Sequence, residues 1–204
     1  TTMIRRIIVV IALILLVGGI GITFYVEHEA EPKRESLSGH GDARALVLYH
    51  PSRDAGFSDE ISLAVAQGLK DAGFAVDRET TTSSTSAKPQ GYAVIAVVAN
   101  TFWFQPDRPT LRYLARARLE EVKAIGLICG AGSTDRSERL LSEALKKTGA
   151  NPVETRSYWI SRPNDETRIE AQNRAVAIEK ARAFGLATGR RMLAASAAQP
   201  APGE

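Results

Sequence analysis

The sequence predicts an α/β domain built on a doubly wound parallel sheet of five strands, preceded by one apolar helix long enough to cross a membrane. Five short apolar runs alternate with segments of helical spacing across residues 43–190. The connections between them are short, which favours parallel strands with helices on both faces. Ahead of them, the run from Ile7 to Val26 is 20 residues long and holds no charge.

A helix needs about 20 apolar residues to span ~30 Å of hydrocarbon. The run ends in Phe24-Tyr25-Val26, and aromatic side chains suit a membrane boundary. A cleavable signal has a shorter apolar core and a small-residue cleavage site, so residues 1–26 read as a retained transmembrane anchor that contacts lipid through residues 7–26. Gly19 and Thr23 form one small-xxx-small pair of the kind that packs on another helix. Arg5 and Arg6 precede the span, while Glu27, Glu29, Glu31 and Glu35 follow it beside Lys33 and Arg34. The positive-inside rule then puts the N-terminus in the cytoplasm and the domain on the opposite, extracytoplasmic side.

Residues 27–42, almost without apolar side chains, read as a linker. Ala45 to Tyr49 is a first strand buried on both faces. Ser58 to Ala72 places Ile61, Leu63, Ala64, Val65 and Leu69 near helical spacing, with Ser58 as N-cap and Gly73 at the C-cap. Phe74 to Glu79 is the second strand, residues 80–86 a polar loop, and Tyr92 to Ala99 the third and most apolar strand. Pro109 to Arg118 is a helix with its proline in the first turn. Ala124 to Cys129 is the fourth strand, and Thr134 to Lys147 a helix ending before Gly149. Val153 to Ile160 alternates and so lies nearer an edge, and Glu166 to Leu186 closes the domain as a helix. The Ala/Pro-rich residues from Ala194 have no fold of their own, giving a flexible tail over 191–204. Five strands in about 150 residues match the doubly wound order 2-1-3-4-5 better than a six-stranded sheet.

Composition narrows the chemistry. The 204 residues carry 26 Lys plus Arg against 23 Asp plus Glu, a net charge of +3 without a clustered basic patch, so no nucleic-acid partner is implied. A single cysteine, Cys129, excludes an intramolecular disulfide and a Cys-rich zinc site. His28, His40 and His50 are scattered, which speaks against a multi-histidine metal centre. There is no GxSxG elbow, and His50 near Ser52 lacks a recognisable acid partner. Cys129, in an apolar run, reads as a small buried hydrophobe.

Ligands of such sheets bind beyond the carboxyl ends of the strands at the topological switch point, which selects three loops. The first, residues 50–58, leads into a helix N-terminus and offers Ser52, Arg53 and Ser58 to an anion; a plain capped turn reads equally well. The second, Asn100-Thr101-Phe102-Trp103-Phe104, sets three consecutive rings after the third strand in a chain only 6% aromatic. These could stack on a planar ring system, pack in the core, or form a patch facing a membrane or partner. The third, Gly130-Ala131-Gly132-Ser133, would let a ligand approach the backbone closely, or simply start a helix.

At these loops the chain, over about residues 43–188, resembles the flavodoxin and flavodoxin-like FMN reductase family. Ala45 to Tyr49 followed by Ser52, Gly56 and Ser58 is similar to the family's first strand and phosphate loop. Asn100, Thr101, Phe102 and Trp103 look like one wall of its flavin pocket, and Gly130, Gly132 and Ser133 like the other. The resemblance implies a flavodoxin-like fold, noncovalently bound FMN, and one- or two-electron transfer with a membrane redox partner, as in quinone reductases. Ala55 and Phe57 stand where the family has a hydroxyl and an amide. They favour an alternative, a flavin-free accessory subunit of a respiratory or photosynthetic membrane complex.

Overall fold

The computed structural model describes residues 2–37, 39, 41–52, 56–120, 122–151, 153–169 and 172–197. In chain order the elements are α1 (Thr2–Val26), β1 (Arg34–Leu37), β2 (Arg44–Tyr49), α2 (Phe57–Ala72), β3 (Ala75–Thr80), β4 (Val94–Phe102), β5 (Gln105–Pro106), α3 (Arg108–Arg116), β6 (Lys123–Gly130), α4 (Asp135–Lys147), β7 (Val153–Trp159), a 3₁₀ turn (Glu166–Arg168) and α5 (Asn173–Ala197).

The sheet runs β1-β3-β2-β4-β6-β7. The five strands expected from sequence (β2, β3, β4, β6, β7) are all parallel and lie in the order 2-1-3-4-5. Their alternating side chains feed two apolar layers. Ala45, Val47, Tyr49, Val94, Ala96 and Val98 face α2 and α5, and Leu46, Leu48, Ile95, Val97 and Ala99 face α3 and α4. Gly68 lets α2 and α5 pack backbone to backbone, since a Cβ there would lie 2.2 Å from the Arg182 carbonyl oxygen.

Four expectations are revised. The linker 27–42 contains β1, which joins the sheet antiparallel to β3. The reason is a long-range polar cluster in which Ser36, Arg34, Arg44 and Tyr92 all donate to the Asp77 carboxylate. Burial alone would raise Asp77, but those hydrogen bonds outweigh it and hold the carboxyl well below the usual range. β4 runs on to Phe102 and turns back through β5, so the aromatic loop is the tip of a hairpin. The closing helix is split, with a 3₁₀ turn at Glu166–Arg168 and α5 beginning at Asn173. Finally, α5 continues to Ala197, beyond the expected tail boundaries at 191 and 194. The alanine-rich sequence favours helix, and Met192 is buried against the first apolar layer with Leu193 packed on it. Residues 198–204 of that tail lie outside the described residues.

Candidate functional site

The loops after β2, β4 and β6 meet at the carboxyl edge of the sheet around a cleft of about 390 Å³. That is within the usual range for small-molecule sites, about 300–1,000 Å³. Ser52 and Phe57 border it on the β2 side, Asn100, Thr101 and Asp107 on the β4 side, and Cys129 to Ala131 on the β6 side.

Asp107 organises this edge. It is the N-cap of α3, accepting from Thr110 N at 2.9 Å, and it also accepts from Asn100 N at 2.7 Å, which pins the two arms of the hairpin together. Its other neighbour is the His50 ring, with Nδ1 3.6 Å from Oδ1. His50 Nε2 is in turn 3.1 Å from the carbonyl of His28, in the segment that leaves α1. Asp107 was not singled out in the sequence, although Asp followed by Arg108-Pro109 carries the signal of an N-cap before a first-turn proline. At 3.6 Å its carboxylate faces His50 Nδ1 without a hydrogen bond, and the ring nitrogen has no such partner among the described residues. Because Nε2 is taken by the His28 carbonyl, no serine–histidine relay results.

Each expected site residue has a definite placement except Arg53, which lies outside the described residues. Ser52 lines the cleft, and its Oγ accepts from Ser58 N at 3.3 Å. Gly56 is the N-cap of α2 at φ 76°, a conformation suited to glycine, so the helix begins two residues earlier than a Ser58 cap would require. Ser58 is fully buried, and its hydroxyl donates to the His50 carbonyl at 2.8 Å. That is its one O–H, so Ser58 has no donor left for an anion. Asn100 lines the cleft while its amide donates to the same His50 carbonyl. Thr101 also lines the cleft, and its buried Oγ1 has no hydrogen-bond partner among the described residues. Gly130 lines the cleft, where a Cβ would come 2.7 Å from the Thr134 methyl. Gly132 and Ser133 stand outside the lining, and Ser133 is exposed.

Phe102 and Trp103 form an edge-to-face pair, with centroids 5.6 Å apart, but Trp103 turns away from the cleft. It lines a groove against α1 with Leu15, Leu16, Gly19, Ile20, Thr23 and Phe24. Trp103 and Phe104 sit at φ 48° and 59°, the two central positions of the hairpin turn. Such a turn ordinarily takes Asn and Gly, and bulky residues there carry of order 1–3 kcal/mol of strain each. The Phe57 side chain is buried in the first apolar layer and forms one wall of the cleft without filling it. Burial pushes the Cys129 thiol far up, reinforced by the charge of Asp107, so it is not a thiolate nucleophile. No group of three or more His, Cys, Asp or Glu among the described residues could hold a metal ion.

No family model matches the chain and no curated protein matches it. Solved structures do. A flavodoxin, WrbA-like protein from Agrobacterium tumefaciens is 11% identical at TM-score 0.53, with 74% of this chain covering 98% of that one. Rubredoxin oxygen:oxidoreductase from Desulfovibrio gigas is 12% identical at TM-score 0.59; 78% of this chain covers 38% of it. A flavodoxin from Streptococcus pneumonia TIGR4 is 19% identical at TM-score 0.51, the coverage being 72% and 99%. These likenesses show the fold: the domain is a flavodoxin-like α/β domain. The apolar helix Met3–Tyr25 lies outside it and is long and apolar enough to span a membrane.

Proposed function

We propose that this is a membrane-anchored flavodoxin-like protein that binds FMN in the cleft and passes electrons to or from a membrane redox partner. The observation that carries the reading is the cleft itself, which stays open at the switch point with a buried, unpartnered hydroxyl, Thr101 Oγ1, beside it.

The residues fit the ring of such a cofactor better than its phosphate. Thr101 and the Gly130-Ala131 backbone would border the ring, with the Thr101 hydroxyl available as a donor. On the other side, Ser52 and the N-terminus of α2 would face the phosphate. Bound FMN would supply one- or two-electron transfer. The chain's own contribution is to keep Phe57 and Cys129 as apolar walls and to fix the Asn100–Thr101 backbone through Asp107. Two of the similar structures are named as a flavodoxin and an oxidoreductase, which supports electron transfer as the class of activity. Arg5 and Arg6 lie next to the span while Lys33 and Arg34 stand seven or more residues beyond it, and this closer placement is what favours a domain held outside the cytoplasm.

The second reading is the flavin-free accessory subunit of a membrane complex. It is favoured by the Ser58 hydroxyl being consumed internally and by Trp103 standing away from the cleft. The visible spectrum of the full-length protein in mild detergent, before and after adding FMN and gel filtration, separates the two. Oxidised-flavin bands that travel with the protein support the carrier. A protein that stays colourless in excess FMN overturns it and favours the accessory subunit.

A further inference from the structure

The hairpin tip at Trp103–Phe104 plays no part in the cleft, yet it holds two large rings in a backbone conformation that suits neither. We infer that this tip is a second membrane contact: Trp103 and Phe104 enter the interface of the same bilayer that α1 crosses, and so hold the cleft against the membrane surface. The inference rests on the reading of α1 as a membrane anchor.

Four observations point to lipid as the occupant. The two rings are 65% and 58% exposed, and they project at consecutive positive φ angles that Asn-Gly would adopt without strain. Aromatic side chains placed where packing does not require them mark a binding surface. Next, Trp103 lies directly beside α1. Between Met3 and Tyr25 the partly covered positions are Gly19 and Thr23, the small pair, and both share a groove with Trp103. The Thr23 hydroxyl is already satisfied by the Gly19 carbonyl at 2.8 Å, so this mainly apolar notch, bordered by Arg108, meets the ring by shape.

Depth agrees as well. Thr23 and Gly19 lie two and six residues inside the end of the apolar span at Tyr25, or about 3–9 Å along the axis. Interfacial side chains bury ~5–10 Å into the headgroup boundary, and Trp is enriched at that level. Finally, the recess where α1 ends holds two arginines beside Glu27 and Glu29, which keeps charged groups at headgroup level. Arg108 and Arg112 stand one helical turn apart on α3, line the recess around Glu27 and His28 where α1 ends, and are exposed. Arg108 is paired with Glu27 at 3.0 Å, which ties α3 to the end of the anchor. The tip's neighbours Thr101 and Asp107 line the cleft, so lipid contact and cleft are two or three residues apart in the chain.

The test uses the full-length chain in phosphatidylcholine–phosphatidylglycerol vesicles. Flotation after alkaline carbonate extraction comes first; a chain that fails to float refutes the anchor and this inference together. In the floated Trp159→Phe variant, Trp103 is the sole tryptophan and its fluorescence is read with lipids brominated at different depths. We expect emission shifted to shorter wavelength, and quenching strongest for bromines near the headgroup. Should Trp159→Phe fail to fold, the wild type minus Trp103→Phe difference gives the same quantity. Emission typical of water, quenched by aqueous iodide and indifferent to bromine depth, overturns the inference and leaves the anchor standing. Blue-shifted emission indifferent to bromine also overturns it, in favour of a protein contact such as a second copy of the chain.

Discussion

The turn after β2 and the hairpin after β4 leave neighbouring strands at the same edge of the sheet, and they treat their side chains in opposite ways. In the first, polar groups fold inward. Ser58 donates to His50, Ser52 accepts from Ser58, and Asn100 reaches across to the same His50 carbonyl. In the second, apolar groups are pushed outward, at positive φ, beside an apolar helix. In the first, the hydroxyl of Ser58 and the amide of Asn100 are spent on the His50 carbonyl and contribute stability. The second, which carries strain and exposes its rings, does the reverse. Asp107 belongs to both, since it locks the base of the hairpin while bordering the cleft and facing His50.

Removing that shared group should give the largest effect. Asp107→Ala leaves the part-buried Asn100 and buried Thr110 amides without their acceptor, and urea unfolding should show a loss of about 3 kcal/mol. A loss below about 1 kcal/mol would mean that the hairpin does not depend on it. The tip should behave oppositely. Trp103→Asn combined with Phe104→Gly supplies the residues this turn favours, and should raise stability in detergent by about 2 kcal/mol. A destabilised double variant would show that the rings pack more than they strain.

Two hydroxyls sharpen the contrast between structural and available groups. Thr101→Val removes a buried hydroxyl that has no partner, so stability should stay within about 0.5 kcal/mol, while FMN affinity by titration falls roughly tenfold. Ser58→Ala should do the converse, losing about 1 kcal/mol of stability with FMN affinity little changed. If Ser58→Ala instead abolishes FMN binding, the turn is not closed on itself.

The smallest effect concerns the anchor end. Burial raises the Glu27 carboxyl, opposed mainly by Arg108. A carboxyl raised in the folded state makes the native protein less stable once it is ionised, and that penalty is relieved as pH falls through the raised value. Glu27→Gln should therefore stabilise at neutral pH by under about 1 kcal/mol. The difference should shrink on acidification and vanish below the ordinary glutamate value of 4.5. A difference that grows in acid would invert the assignment.

Much of the fold was legible because it rests on local pattern. Apolar runs such as Val94 to Ala99 mark buried strands, Pro109 marks the start of a helix, and Gly73 its end. From these the five parallel strands and their order follow. The strand within the linker was not legible, because β1 is held by Asp77, more than forty residues away from Arg34 and Ser36. Nor was the extension of α5, since Met192 has value as a helix residue only once the first apolar layer exists to receive it. The sequence brought three loops to one edge, where they border the cleft, but could not say which way their side chains turn.

The sequence by itself thus determined the apolar helix, the doubly wound sheet and the edge at which a ligand would sit, because periodicity and turn chemistry are properties of neighbours along the chain. The tertiary structure decided that Ser58 is spent on His50, that Trp103 faces α1 instead of the cleft, and that Asp107 joins both. Whether a polar group is free or consumed, and whether a ring is buried or exposed, depends on which distant atoms arrive within a few ångströms of it.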